Sequence, residues 1–259
     1  MTPTLVFDIE TVPDTDGIKT LFDLPKCTSA EDAANIALHK SRQHNDSEFL
    51  PLHLQRVVTI SCALREGDSF KIWTLGEVDE PEGQLIQRFF DGVEKYIPNV
   101  VSWNGGGFDL PVLHYRGLIH GVQAPRYWYM ADDEREFKWN NYISRYHMRH
   151  LDLMNLMAMH QPRANASLHD LARLCGFPGK LGMDCSKVWD AYKNGQIQGI
   201  RDYCETDVAN TYLIFLRFQL MCGTLNEESY LREIALVRDT INGYSGQHWR
   251  EFLTALQAR

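Results

Sequence analysis

The chain has 259 residues, 44% of them hydrophobic and 23% charged, which suits one globular domain with a sizeable core. Its 34 acidic against 26 basic residues give a formal charge of −8, a balance that disfavours broad coating of duplex DNA yet leaves room for an enzyme that grips only a strand end. No run of 18 apolar residues occurs and no basic, apolar leader precedes the first strand, so a soluble, cytoplasmic protein without a membrane segment is expected.

The first predicted element is an apolar strand, Leu5 to Glu10. Strand side chains alternate faces, so Asp8 and Glu10 emerge on the same side. A polar stretch follows, from about residue 12 to about residue 55, with Pro13, Pro25 and Pro51 and a helix predicted near Ser29 to His44; it reads as an insertion that could overlie a site. Asp14-Thr15-Asp16 lies inside it and is read as a turn, because no apolar hairpin surrounds it. Val57 to Leu64 and Ser69 to Leu75 are β-rich runs joined by the turn residues Arg65-Glu66-Gly67-Asp68, a hairpin.

Pro81 to Tyr96 spaces Leu85, Ile86, Phe89, Phe90 and Val93 along one helical face, and Val100 to Trp103 reads as a buried strand. Asp109 to Ile119 has helical spacing, with Pro111 tolerated in its first turn. Ser167, with Asp170 three residues on, opens another helix that Gly176-Phe177-Pro178-Gly179 stops. Asp184 to Tyr192, Ile197 to Met221 and Glu227 to Arg238 are also predicted helical, and the chain from about residue 224 reads as a helical C-terminal extension with a less defined tail. Strands early and helices late indicate an α/β domain with a mixed sheet.

Three acidic clusters carry the chemistry: Phe7-Asp8-Ile9-Glu10, then Asn104-Gly105-Gly106-Gly107-Phe108-Asp109, then Tyr203-Cys204-Glu205-Thr206-Asp207. In the last, Tyr203 and Asp207 stand four apart on a helix, one turn from each other. Hydrolysing a phosphodiester at neutral pH needs an activated water and neutralised charge on the leaving oxygen, and two divalent cations about 4 Å apart supply both. Carboxylate oxygens suit hard cations such as Mg²⁺ or Mn²⁺. In that scheme Asp8 bridges two metal ions, Glu10 and Asp207 complete the site of the one beside the nucleophile, and Asp109 supports the second. Each motif alone has a plainer reading: a solvated strand end, a turn with an N-capping aspartate, a surface pair on a helix. Their order, each at a strand end, helix start or helix face, favours the site.

The sequences Phe7-Asp8-Ile9-Glu10-Thr11, Trp103-Asn104-Gly105-Gly106-Gly107-Phe108-Asp109-Leu110-Pro111 and Tyr203-Cys204-Glu205-Thr206-Asp207 resemble the three exonuclease motifs of the DEDD superfamily. They are most similar to the proofreading exonuclease domain of family B DNA polymerases, in its stand-alone form. The resemblance implies a ribonuclease H-like fold, metal-binding acids at Asp8, Glu10, Asp109 and Asp207, and, since Tyr203 stands four before Asp207 while position 202 is Asp, the tyrosine subclass. It implies a 3′–5′ exonuclease acting on the 3′ end of single-stranded nucleic acid, DNA favoured over RNA. The same chemistry on RNA or short oligonucleotides and a non-catalytic nucleic-acid-binding or polymerase-partner module are the competing readings. An aspartyl phosphatase would favour Asp-x-Asp where this chain has Glu10.

Further candidates are less sharply defined. Asn104 and Phe108 are candidate substrate contacts, and Asp152 either stands just behind the metal ligands or caps a helix. The segment from Arg126 to Tyr146 interleaves Tyr127, Trp128, Tyr129, Phe137, Trp139, Tyr142 and Tyr146 with Arg135, Lys138 and Arg145. Trp139 and Tyr142 could stack on unpaired bases; equally, the aromatics could anchor a long loop, with Asp132, Asp133, Glu134 and Glu136 offsetting the positive charge. The six cysteines show no C-x-x-C pair and read as buried free thiols.

Overall fold

The computed structural model describes residues 2–45, 49–130 and 134–257. Five strands, β1 (Thr4–Pro13), β2 (Gln55–Glu66), β3 (Ser69–Thr74), β4 (Asn99–Ser102) and β5 (His150–Asp152), form one sheet in the order β3-β2-β1-β4-β5. β2 pairs antiparallel with both β1 and β3, whereas β4 pairs parallel with both β1 and β5. The helices are α1 (Thr15–Leu21), α2 (Ala30–Asn45), α3 (Glu82–Tyr96), α4 (Asp109–His120), α5 (Arg135–Trp139), α6 (Leu153–Met157), α7 (Leu168–Leu174), α8 (Val188–Lys193), α9 (Ile197–Met221), α10 (Glu227–Asn242) and α11 (Gln247–Gln257). A mixed sheet flanked by helices is the α/β arrangement expected of a ribonuclease H-like fold.

Alternation along β1 sorts the layers. Leu5, Phe7 and Ile9 bury against Ile86 and Phe89 of α3 and Leu113 of α4, while Val6 on the other face joins Val101, Val208 and Leu213 beneath α9. The apolar stripe of α3 is buried in full, as its spacing predicts, and the helix stops at Ile97, whose φ of 42° is left-handed, just before Pro98. The β2–β3 hairpin turns through Gly67 at φ 54°.

Three expectations change. The C-terminal tail is helical: Val237 and Ile241 of α10 and Trp249 and Phe252 of α11 are all buried in one core with α9, so tertiary burial sustains elements whose local signals are weak. Asp14 starts α1 rather than a plain turn, its Oδ1 accepting the Gly17 N–H at 3.1 Å. Cys62 and Cys204 are buried free thiols, but Cys27 and Cys222 are exposed.

The aromatic segment anchors a loop. Tyr142 is 2% exposed, lies stacked on Tyr127 at 5.4 Å and donates its hydroxyl to the Pro98 carbonyl at 2.7 Å. The buried Arg149 guanidinium lies 4.3 Å from the Phe137 ring and bonds Glu136 and the Asn140 carbonyl. Asp132 and Asp133 lie outside the described residues. Among the described residues no helix is long and apolar enough to cross a membrane.

A buried ion network ties the stretch between β1 and β2 to the sheet. Arg116 on α4 is 3% exposed; its Nε and one terminal nitrogen hold Glu82 at 2.8 and 2.6 Å, and the other holds Asp14 at 2.6 Å. Glu82 also accepts the Val57 N–H at 2.7 Å. Removing one partner strands a buried charge, so Arg116→Ala is expected to cost about 3–5 kcal/mol, read as a lowered urea midpoint; a change under about 1 kcal/mol would show that the network is solvated.

Candidate active site

Asp8 and Glu10 face α9 from β1, as alternation requires; Asp8 is partly buried and Glu10 buried. β4 pairs with β1 only as far as Val6, which leaves the backbone beyond it uncovered on that edge. Asp109, in the first turn of α4, fills the gap: its Oδ1 accepts the Ile9 N–H at 3.2 Å, between the two β1 acids. The glycine loop between β4 and α4 makes that reach possible. Asn104 takes φ 68°, and a Cβ on Gly105 would overlap Ser102 Oγ and come within 2.5 Å of its Cβ.

Asp152, at the end of β5, holds this loop. Its Oδ1 accepts the Asn104 and Asn155 N–H groups at 3.0 and 3.1 Å, and its Oδ2 the Gly106 N–H at 2.9 Å and the Asn155 side chain at 2.5 Å. It also caps α6. With its oxygens so occupied, Asp152 acts on the site through the loop and through its charge near Asp109.

α9 brings the remaining groups. Tyr203 and Asp207 are 3% and 2% exposed, and between them Cys204 directs its thiol at the Asp8 carbonyl at 3.4 Å and at Asp8 Oδ2 at 3.6 Å. Burial pushes that thiol well up, so it remains an S–H donor. Lys180 enters from the loop before α8: its ammonium lies 2.8 Å from Asp207 Oδ2 and donates to the Tyr203 hydroxyl at 2.5 Å. Asn210 on α9 sets that loop by bonding both the N–H and the carbonyl of Gly179, at 2.9 and 3.0 Å. Gly179 has φ 72°, and a Cβ there would press on Arg173 and His169 at 3.0 Å.

The electrostatics follow from crowding. Burial, then the charges of Asp109 and Asp207, hold the Asp8 carboxyl well above the usual carboxylate range. Burial raises Asp109 to about 7 and raises Asp207. For Lys180, burial alone would lower the ammonium, but Asp207, backed by Asp8 and Glu10, outweighs it and the net shift is upward. Burial and the charges of Asp207, Glu10 and Asp8 push the Tyr203 phenol far up, so it stays protonated at neutral pH.

A divalent cation fits this donor set. Among the described residues Asp207 Oδ1 is buried with no hydrogen-bond partner, and the donor atoms of Asp8, Glu10 and Cys204 lie within 4.8 Å of one another. Carboxylate oxygens match a hard ion, and the ion would relieve the mutual repulsion that raises these acids.

The sequence from residue 47 to residue 256 matches the family described as predicted 3′–5′ exonuclease related to the exonuclease domain of PolB. The chain belongs to this family. It is also 26% identical over 148 residues to the catalytic subunit of DNA polymerase epsilon from Saccharomyces cerevisiae, an alignment covering 54% of this chain and 6% of that protein, so the chain spans a small part of its relative's length. The family match begins after Asp8 and Glu10; β1 is what joins these two to the matched part.

In this PolB-like exonuclease domain the structure brings Asp8, Glu10, Asp109, Tyr203 and Asp207 together, with Asn104 and Phe108 on the adjoining loop, Phe108 half-buried at the head of α4. No described contact joins Trp139 or Tyr142 to the site. Tyr142 is buried at Pro98, ahead of β4, whereas the Asn104 loop follows that strand, about 13 Å further along its four extended residues; Trp139 is 68% exposed and stands in the same segment as Tyr142. Sequence reasoning missed the roles of Lys180 and Cys204. A lysine after a helix-stopping glycine reads as solvated, and a cysteine inside a helix reads as packing; only the one-residue offset of Cys204 from Tyr203 hinted at its place.

With metal chelated, Asp109 in the folded chain holds its proton up to about 7, against an ordinary value of 3.8. The native state binds more protons than the unfolded one across that window, so stability falls as pH rises through it. Thermal unfolding in EDTA at about pH 5 and about pH 7.5 is expected to show a lower midpoint at the higher pH, and Asp109→Asn to flatten the difference; a midpoint that rises with pH in both proteins would contradict this assignment.

Proposed function

We propose that the protein is a metal-dependent 3′–5′ exonuclease that hydrolyses the terminal phosphodiester bond of single-stranded nucleic acid, DNA in preference to RNA, and releases nucleoside 5′-monophosphates. The observation that carries this reading is the convergence of Asp8, Glu10, Asp109 and Asp207 with a buried, unpartnered oxygen on Asp207, in a chain of the exonuclease family. Asp8, Glu10 and Asp207 would hold one divalent cation, and Asp8 with Asp109 a second. When bound, such a pair, Mg²⁺ or Mn²⁺, supplies activation of water and neutralises charge on the leaving oxygen.

The protein's own groups do the positioning. Water oxygen bonds to the terminal phosphorus, the bond from that phosphorus to the preceding O3′ breaks, and O3′ takes up a proton to become the new 3′-hydroxyl. A phenol raised this far cannot serve as a base at pH 7, so Tyr203 orients the attacking water through its hydroxyl. Lys180 donates to that hydroxyl, which leaves the phenol's own proton to be given to an acceptor, while pairing with Asp207. Asn104 and Phe108 stand on the loop beside Asp109, suited to meet the terminal nucleotide. A frayed single strand reaches such a site without loss of base stacking, and the preference for DNA over RNA would rest on contacts to the 2′ position.

End-labelled DNA and RNA oligonucleotides incubated with Mg²⁺ or Mn²⁺ test the reading. The expected result is a ladder shortening from the 3′ end, faster on single-stranded DNA and absent in Asp8→Ala; shortening from the 5′ end, or equal cleavage by that variant, would overturn it. Tyr203→Phe is expected to lower kcat by about 10²-fold while Mn²⁺ affinity by calorimetry stays within about twofold, and a loss of metal binding would remove Tyr203 from the orienting role.

A further inference from the structure

We infer that His248, on α11, is a positioning residue for the turn of α9 that carries Tyr203 and Asp207; the inference rests on the exonuclease reading above. Asp202 and Glu205, three apart, share one face of α9. On a helical wheel that face is about 150° from the one bearing Tyr203 and Asp207. His248 lies over it: Nε2 is 3.1 Å from Glu205 Oε2, in hydrogen-bonding contact, and Nδ1 faces Asp202 Oδ2 at 3.4 Å. Nδ1 makes no hydrogen bond among the described residues, so the ring holds this face through the Nε2 contact with Glu205 and stands beside Asp202 without bonding it.

From Glu205 the contacts continue into the sheet. Glu205 Oε1 accepts from Thr74 Oγ1 at 2.8 Å. That uses the single hydroxyl proton of Thr74, so in the 2.8 Å contact between Thr74 and Ser61 the serine donates. Thr74 pairs in register with Ser61, and Ser61 with Asp8. A polar row therefore runs across three strands from Asp8 to Glu205, and His248 closes its far end from a helix that touches none of the metal-binding acids in any described contact. The row and its clamp fix the rotation of α9 about its own axis. At a radius of about 5–6 Å, a turn of about 10° would shift a side-chain atom by about 1 Å, and displacement on that scale can cost about 10²-fold in rate.

Two further features show the ring is built in. It packs against the buried Trp249 at 4.7 Å between centroids, and a Cβ on Gly246 would overlap it, within 2.6 Å of Nδ1. Gly246 has no other need for its glycine in the way of a left-handed φ, so its alanine variant displaces the clamp while keeping the histidine.

The test is steady-state kinetics on end-labelled single-stranded DNA with Mn²⁺, together with Mn²⁺ calorimetry. His248→Ala and Gly246→Ala are each expected to lower kcat by about tenfold, with KM and Mn²⁺ affinity within about twofold; the double variant should be no slower than His248→Ala, and His248→Gln, which keeps a donor for Glu205, should recover part of the loss. Unchanged kcat in both single variants, a loss carried by metal affinity, or a further fall in the double variant would overturn the assignment. Should the wild type release no nucleotide, the exonuclease reading fails by itself. Hydrogen exchange of the amides from 201 to 208 then decides the clamp: faster exchange in His248→Ala supports it and unchanged protection rejects it.

Discussion

Crowded negative charge in a buried place is the constraint on which the rest of this structure depends. Asp8, Asp109 and Asp207 are all pushed above the ordinary carboxylate range, in each case first by burial, and bringing such groups together out of water is costly unless their charge is met. Three means of meeting it are available to the folded chain. Protons can stay on the acids, the Lys180 ammonium can pair with Asp207, or cations can enter. The first two hold the metal-free protein together, and the unpartnered Asp207 oxygen is where they fall short.

The scaffold carries this charge through its backbone as much as through its side chains. Asp109 is held by an N–H of β1 that the short pairing of β4 leaves uncovered, and the loop before it is held by two backbone N–H groups on Asp152. α9 has a double role: Tyr203 and Asp207 face the acids, while Val208, Ala209, Tyr212 and Leu213 bury beneath the sheet in the main core. The core-facing residues of α9 are thus continuous along one helix with the groups of the site, and α10 and α11 add to that core by burying against it.

Family membership and structure cover different parts of the site. The matched span, residues 47–256, takes in Asp109, Tyr203 and Asp207, and β1 adds Asp8 and Glu10 from outside it. β1 pairs with β2 along its whole length and with β4 over Thr4 to Val6, so the two acids could not be moved relative to Asp109 without breaking the centre of the sheet. That explains why a strand lying outside the match is nevertheless integral to the cluster.

Local pattern alone was enough for much of this. Alternation in Leu5 to Glu10, the stripe from Leu85 to Val93, the turn residues of the β2–β3 hairpin and the four-residue spacing of Tyr203 and Asp207 each state a periodicity, and periodicity is local. The short β5, the helix α11 and the aromatic loop carry no such pattern; their conformations are decided by what they bury, as with Tyr142 against Tyr127 and Trp249 in the core. The placement of Lys180 among the acids, of Cys204 on Asp8 and of His248 across Asp202 and Glu205 was likewise beyond the sequence, because each depends on the distance between elements far apart in the chain, and a residue's type records what it can bond but not what it will be brought to meet.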